Sequence, residues 1–182
     1  MSVAALRRIV SEPSQIPNLD DFAESRRKVK AITEQIREAL ARRTAPTIER
    51  DEISALSLIL YKVPKTLEKF AERYGLNVAV FCEVQFDRQV GMLDEAFRIV
   101  VAMFHDLKAN NVAVVTQQNF RLQQIEGDAD KLMLEQLRGI YSGKHSAVAA
   151  IALKDLHEIL EKAIDHCRDA GNVVAQVVLK HS

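Results

Sequence analysis

The chain contains no tryptophan, and aromatic residues make up only 5% of its 182 positions. Glycine occurs six times and proline four times. So few turn-formers suit long helices rather than strands joined by frequent turns. With two cysteines, Cys82 and Cys167, there is no disulfide framework. They read as reduced, buried thiols in a reducing compartment. Neither sign of charge is in excess: 25 basic and 25 acidic residues give a net charge of zero. The total therefore points to no nucleic acid and no acidic membrane surface. No run approaches the roughly 18 apolar residues of a membrane-spanning helix. Arg7 and Arg8 stand near the start without the apolar segment of a secretory signal, so the expectation is a cytoplasmic protein. There is no glycine-rich phosphate loop, no nucleophile elbow and no evident Ser/Cys–His constellation, so a catalytic role is not expected.

What the chain does have is a clean helical period. Apolar residues fall at Ile53, Leu56, Leu60, Val63, Leu67, Phe70 and Tyr74. A second series runs Phe86, Val90, Leu93, Phe97, Val100, Phe104 and Leu107. A third runs Leu153, Leu156, Leu160, Ala163, Cys167, Ala170, Val174 and Val177. Steps of three and four put each series on one helical face, the seam of an antiparallel bundle. The fold class read from this is all-α, an elongated antiparallel bundle of about five long helices. They are placed at about 19–43, 48–74, 78–108, 112–141 and 147–180. Asn18 is the expected N-cap of the first, with Asp20 and Asp21 favourably placed in its first turn. Pro64 falls within the second and should kink it. Residues 1–17, with Pro13 and Pro17, read as a loose arm. The small residues Ala163, Cys167 and Ala170 would let a neighbour approach the last helix closely.

Two acidic ladders carry the functional signal. Glu126 is followed four residues later by Asp130, and Glu161 by Asp165 and then Asp169. That spacing stacks carboxylates on one helical face, a turn apart. Two readings are open on periodicity alone. One is a solvated polar face. The other is a site on the bundle surface for a hard cation such as iron, manganese or magnesium, which carboxylate oxygens suit. A buried di-iron centre is not indicated, because that class needs Glu-x-x-His pairs and Ala129 and Ile164 stand at the histidine positions. His157 and His166 flank the second ladder, as further donors or as ordinary surface histidines.

These residues resemble a family. Ile125-Glu126-Gly127-Asp128-Ala129-Asp130 resembles the E-x-x-A-D signature of PhoU-like phosphate transport regulators, in particular the divergent PhoU group. The segment from Lys154 to Val174, with Leu160-Glu161, Asp165, Cys167, Asp169 and Asn172, is similar to that group's final helix. Ala45-Pro46-Thr47-Ile48-Glu49-Arg50-Asp51-Glu52-Ile53 is similar to the start of a helix in its first half. The resemblance implies two related three-helix bundles whose carboxylate motifs bind metal clusters at the surface. It makes Glu126, Asp130, Glu161, Asp165 and Asp169 the metal-ligand candidates. It implies a non-enzymatic regulatory or accessory protein of inorganic phosphate transport, whose partner is a transporter or its signalling protein, and which meets a membrane only through that transporter.

The first half departs from the pattern. Arg26, Lys30, Lys62 and Lys65 stand where carboxylates would fall. The expectation is one domain over residues 18–182. Residues 18–75 form a degenerate first repeat of two helices without metal, and 78–182 form a three-helix second repeat. The four cations should cluster and meet an anionic partner, or pair with Glu34 and Glu68. Apolar surface left uncovered in the first half suggests a homo-oligomer. Two other classes stay open. Met103-Phe104-His105-Asp106-Leu107-Lys108 echoes a histidine phosphotransfer bundle working through His105, and a purely structural bundle needs no ligand.

Overall fold

A computed structural model describes residues 2–42, 49–109 and 111–181. All regular structure among them is helical: α1 (Ser2–Ser11), α2 (Asp20–Arg42), α3 (Arg50–Leu76), α4 (Val78–Phe81), α5 (Asp87–Ala109), α6 (Val112–Ile140) and α7 (Ala147–Lys180). Five of these are the long helices expected, and the bundle class holds. At 34 residues, α7 is the longest, which at 1.5 Å per residue spans about 50 Å. It packs against α3, α5 and α6 and so forms the axis of the molecule. The helices α1, α2 and α3 contact one another, as do α5, α6 and α7.

The ends of the helices follow local chemistry. Asn18 accepts a hydrogen bond from the Asp20 amide at 2.9 Å, as the sequence suggested. Asn111 caps α6 through the Val114 amide at 3.4 Å, and Ser146 caps α7 through the Ala149 amide at 3.2 Å. These side chains satisfy amides that the first helical turn leaves unpaired. The stretch Ala45–Ile48 of the quoted first-half motif lies outside the described residues. At its described end, the Glu52 carboxylate accepts from the Glu49 amide at 3.2 Å.

The seam of α7 is buried along its whole length, from Leu153 to Val177. In α3, Leu56, Val63, Leu67, Phe70 and Tyr74 are buried, while Ile53 and Leu60 are half-buried.

Four expectations need correction. The described part of the 1–17 segment is not a loose arm. Val3, Ala5, Leu6 and Ile9 of α1 are buried, Leu6 completely, and the Tyr74 hydroxyl donates to the Pro13 carbonyl at 2.8 Å. The first half therefore has three helices rather than two. The helix expected over 78–108 is broken after α4. Residues 82–86 turn so that both Phe81 and Phe86 enter an aromatic cluster with Phe70 and Tyr74, with ring centroids 5.4–6.1 Å apart. Offset and edge-on pairs of this kind are favourable beyond the area they bury. Phe97 is 36% exposed, because α5 turns Ala96 and Met103 inward alongside the expected Val100. Cys82 is only half-buried, unlike Cys167, whose thiol burial pushes up to about 12.

Candidate functional site

Packing of α6 along α7 brings the two acidic ladders face to face. Glu126 follows the buried Ile125 and Asp130 follows the buried Ala129, so both sit at the rim of the α6 seam. Glu161 and Asp165 flank buried Leu160 and Ile164 on α7. The juxtaposition is felt most by Glu161. Burial first, then the negative charges of Asp165 and Asp130, push its carboxyl from 4.5 up to about 7, and a hydrogen bond to Asp165 adds to this. Near neutrality Glu161 is thus partly protonated and can donate that proton to Asp165.

A cation is already present among these carboxylates, and it belongs to the chain. Arg168 Nη2 lies 3.2 Å from Asp165 Oδ1 and 3.5 Å from Glu126 Oε1, and Arg168 Nε lies 3.3 Å from Asp169 Oδ1. Its guanidinium therefore ties the α6 ladder to the α7 ladder. Among the described residues, no group of three or more His, Cys, Asp or Glu side chains is arranged to hold a metal ion. In this arrangement Arg168 supplies the neutralising charge that the carboxylates would otherwise take from a metal. Sequence reasoning passed over Arg168, although its position between Asp165 and Asp169 was the available signal.

The two flanking histidines are buried, not at the surface. His157 is 1% exposed and stacks on Phe86 with centroids 4.8 Å apart. Its Nδ1 is 2.6 Å from Gln89 Oε1, and Gln89 Nε2 donates to the His157 carbonyl at 3.2 Å. Burial lowers this imidazole to about 4. His166 is also held below its ordinary value, by burial first and next by Lys62 and Lys162. The opposing Asp169 and Asp165 do not cancel this.

The cations of the first half gather only in part. Arg26, Lys62 and Lys65 line one cleft between α3 and α7, and Lys30 is not among its walls. Arg26 pairs with Glu68, as expected, but Glu34 pairs with Arg37. His105 of the phosphotransfer alternative is exposed on α5.

No helix among the described residues is long and apolar enough to cross a membrane. No family model matches the sequence, and no curated protein matches it either. The structure is similar to the 2.00 Å crystal structure of a PhoU-like protein from Shewanella oneidensis MR-1, with a TM-score of 0.71 at 17% identity, over 98% of this chain and 92% of that one. The chain therefore has the fold of a PhoU-like protein.

Proposed function

We propose that this chain is a regulatory or accessory protein of inorganic phosphate transport, acting in the cytoplasm through contact with a transporter or its signalling partner and not by catalysis. The observation that supports the reading is the PhoU-like fold, matched over nearly the whole length of both chains. It is joined by the acidic face of α6 and α7, where the sequence resemblance is most specific. The test is deletion of the coding gene in its native host. Phosphate uptake, or the response to phosphate limitation, should change and be restored by the wild-type gene. Unchanged uptake at both high and low phosphate would count against the proposal.

Two finer parts of the reading are proposals in their own right. A metal ion held by Glu126, Asp130, Glu161, Asp165 and Asp169 has to displace the Arg168 guanidinium, so metal and arginine compete for one set of carboxylates. Self-association would use the apolar groove between α2, α3 and α5, where Ile32 and Phe97 are exposed beside Val29, Ile36 and Leu60.

A further inference from the structure

A cleft of about 880 Å³ opens between α3 and α7. Its walls are charged, and the only aliphatic residue lining it is Ile159. Lys62, Lys65 and Lys69 stand three and four residues apart on α3, which stacks them on one face over about 10 Å. Lys162 faces them from α7, beside His166. Arg26 and Arg73 complete the cationic lining.

The acids of the cleft are mostly spoken for. Glu68 pairs with Arg26, Asp155 with Arg73, and Glu158 with Lys154. The four lysines are not ion-paired to any described carboxylate, and Glu72 is the one acid of the lining without such a pair. Four like charges converging on one hollow repel one another and are relieved by a multivalent anion. The rest of the surface does not share this excess, since the chain as a whole is neutral.

The lining also selects among anions. Lysine ammonium groups are mobile point charges that suit phosphate oxygens lying in several directions, whereas planar carboxylates are better matched by arginine forks. Both arginines are already engaged by carboxylates of the chain. With one aliphatic residue, the cleft offers little to a ligand with a large apolar body. A row of lysines rather than a single one calls for several linked charges.

We propose that the α3–α7 cleft is a binding site for a short chain of linked phosphate groups, of which inorganic tripolyphosphate is the simplest representative. The site borders the acidic face of α6 and α7, where Lys162 and His166 stand beside Glu161 and Asp165, but it does not depend on the role proposed for the fold.

Calorimetric titration of the full chain tests this. Tripolyphosphate should saturate one site, bind at least ~10-fold more tightly than orthophosphate because it engages several lysines at once, and weaken as salt is raised. Lys65→Gln combined with Lys69→Gln should reduce affinity at least ~10-fold, two charge-assisted contacts being lost. Lys131→Gln, in α6 and not among the residues lining the cleft, should leave it unchanged. If the double variant does not fold, Lys162→Gln on the opposite wall serves in its place. In the wild type, tripolyphosphate should also slow acetylation of Lys62, Lys65, Lys69 and Lys162 relative to Lys131, read by mass spectrometry. The proposal is overturned by any of four results: no saturable binding at low salt, equal loss in Lys131→Gln, unselective protection from acetylation, or hexaglutamate binding as tightly as tripolyphosphate.

Discussion

Gly171 of α7 faces Leu122 of α6 so closely that a methyl group on its Cα would lie 2.3 Å from Leu122 Cδ1. Asn119 Oδ1 and Met103 Sδ would be 3.1 and 3.4 Å away. Leu122 and Met103 are both buried, so neither can swing aside into solvent. Three helices thus meet at a residue without a side chain, one position after the small Ala170. Gly171→Ala should gain about 1 kcal/mol of helix propensity but lose about 1–3 kcal/mol to overpacking, leaving the protein less stable. Gly91→Ala on α5 is the control. No atom lies within 4 Å of the added methyl there, so only the gain of up to about 1 kcal/mol remains. Urea unfolding of the two variants should move in opposite directions. A stabilised Gly171→Ala would contradict the close approach.

The burial of His157 beside Gln89 makes stability sensitive to acid. Burial sets the folded imidazole at about 4, against an ordinary value of 6.5. The folded state therefore binds fewer protons than the unfolded state between those values. His157 contributes stability that is complete above about 6.5 and is lost as pH falls toward about 4. Glu161 acts in the same window with the opposite sign. Its folded value is raised from 4.5 to about 7, so its contribution is present below 4.5 and is lost as pH rises through 7. A net curve would mix the two, so the check is specific to one residue. In an NMR titration the His157 ring should stay neutral down to about pH 4, and an apparent value near 6.5 would contradict it. In Gln89→Ala the His157 carbonyl and Nδ1 lose their partner, which should cost about 1–3 kcal/mol.

The parts of the fold legible in the sequence were those carried by periodicity. The α7 seam is buried at every position read from it, because a central helix repeats the same demand at each turn. The break at residues 82–86 was not legible, since Phe81 and Phe86 serve a cluster made mainly by α3. Phe97 was misplaced for a related reason. A second apolar stripe through Ala96 and Met103 shares Val100 with the chosen one, and only the position of neighbouring helices selects between them. In α1 the signal was present as Val3, Leu6 and Ile9, but ten residues followed by two prolines form too short a pattern to stand out. The acidic ladders were legible as residues and their convergence was a sound inference. That an arginine of the same helix would turn into them was not, because a side chain's direction is settled by its partners across the interface.

Arg168 makes the acidic face testable for metal. Arg168→Gln removes the charge beside Glu126, Asp165 and Asp169 and leaves the like charges of α6 and α7 facing one another. Stability should fall by about 1 kcal/mol or more, this being the usual range for ion pairs with partial burial, and fall further at low salt. Millimolar Mg²⁺ or Mn²⁺ should restore the melting temperature of Arg168→Gln and affect the wild type much less. A wild type stabilised as strongly as the variant would show instead that metal displaces the guanidinium readily. No rescue of the variant would remove the metal proposal for this face.

The last prediction sets Leu6 against Phe97. Leu6 is completely buried in a helix that packs on α2, α3 and α5. Leu6→Ala should cost about 2–5 kcal/mol, through lost burial and the cavity left behind. For a residue in a loose arm the cost would be close to zero, so thermal or urea unfolding separates the two cases directly. Phe97 is 36% exposed on the rim of the apolar groove. Its side chain can leave the rim without opening the core, so Phe97→Asp should cost no more than about 1 kcal/mol. The same charge, however, would be buried if a second copy of the chain covered the groove, and an unpaired buried charge is strongly disfavoured. Sedimentation should then find the wild type associated and Phe97→Asp monomeric. A wild type that sediments as a monomer at high concentration would leave the groove without that role, and an unchanged assembly in Phe97→Asp would place the contact elsewhere.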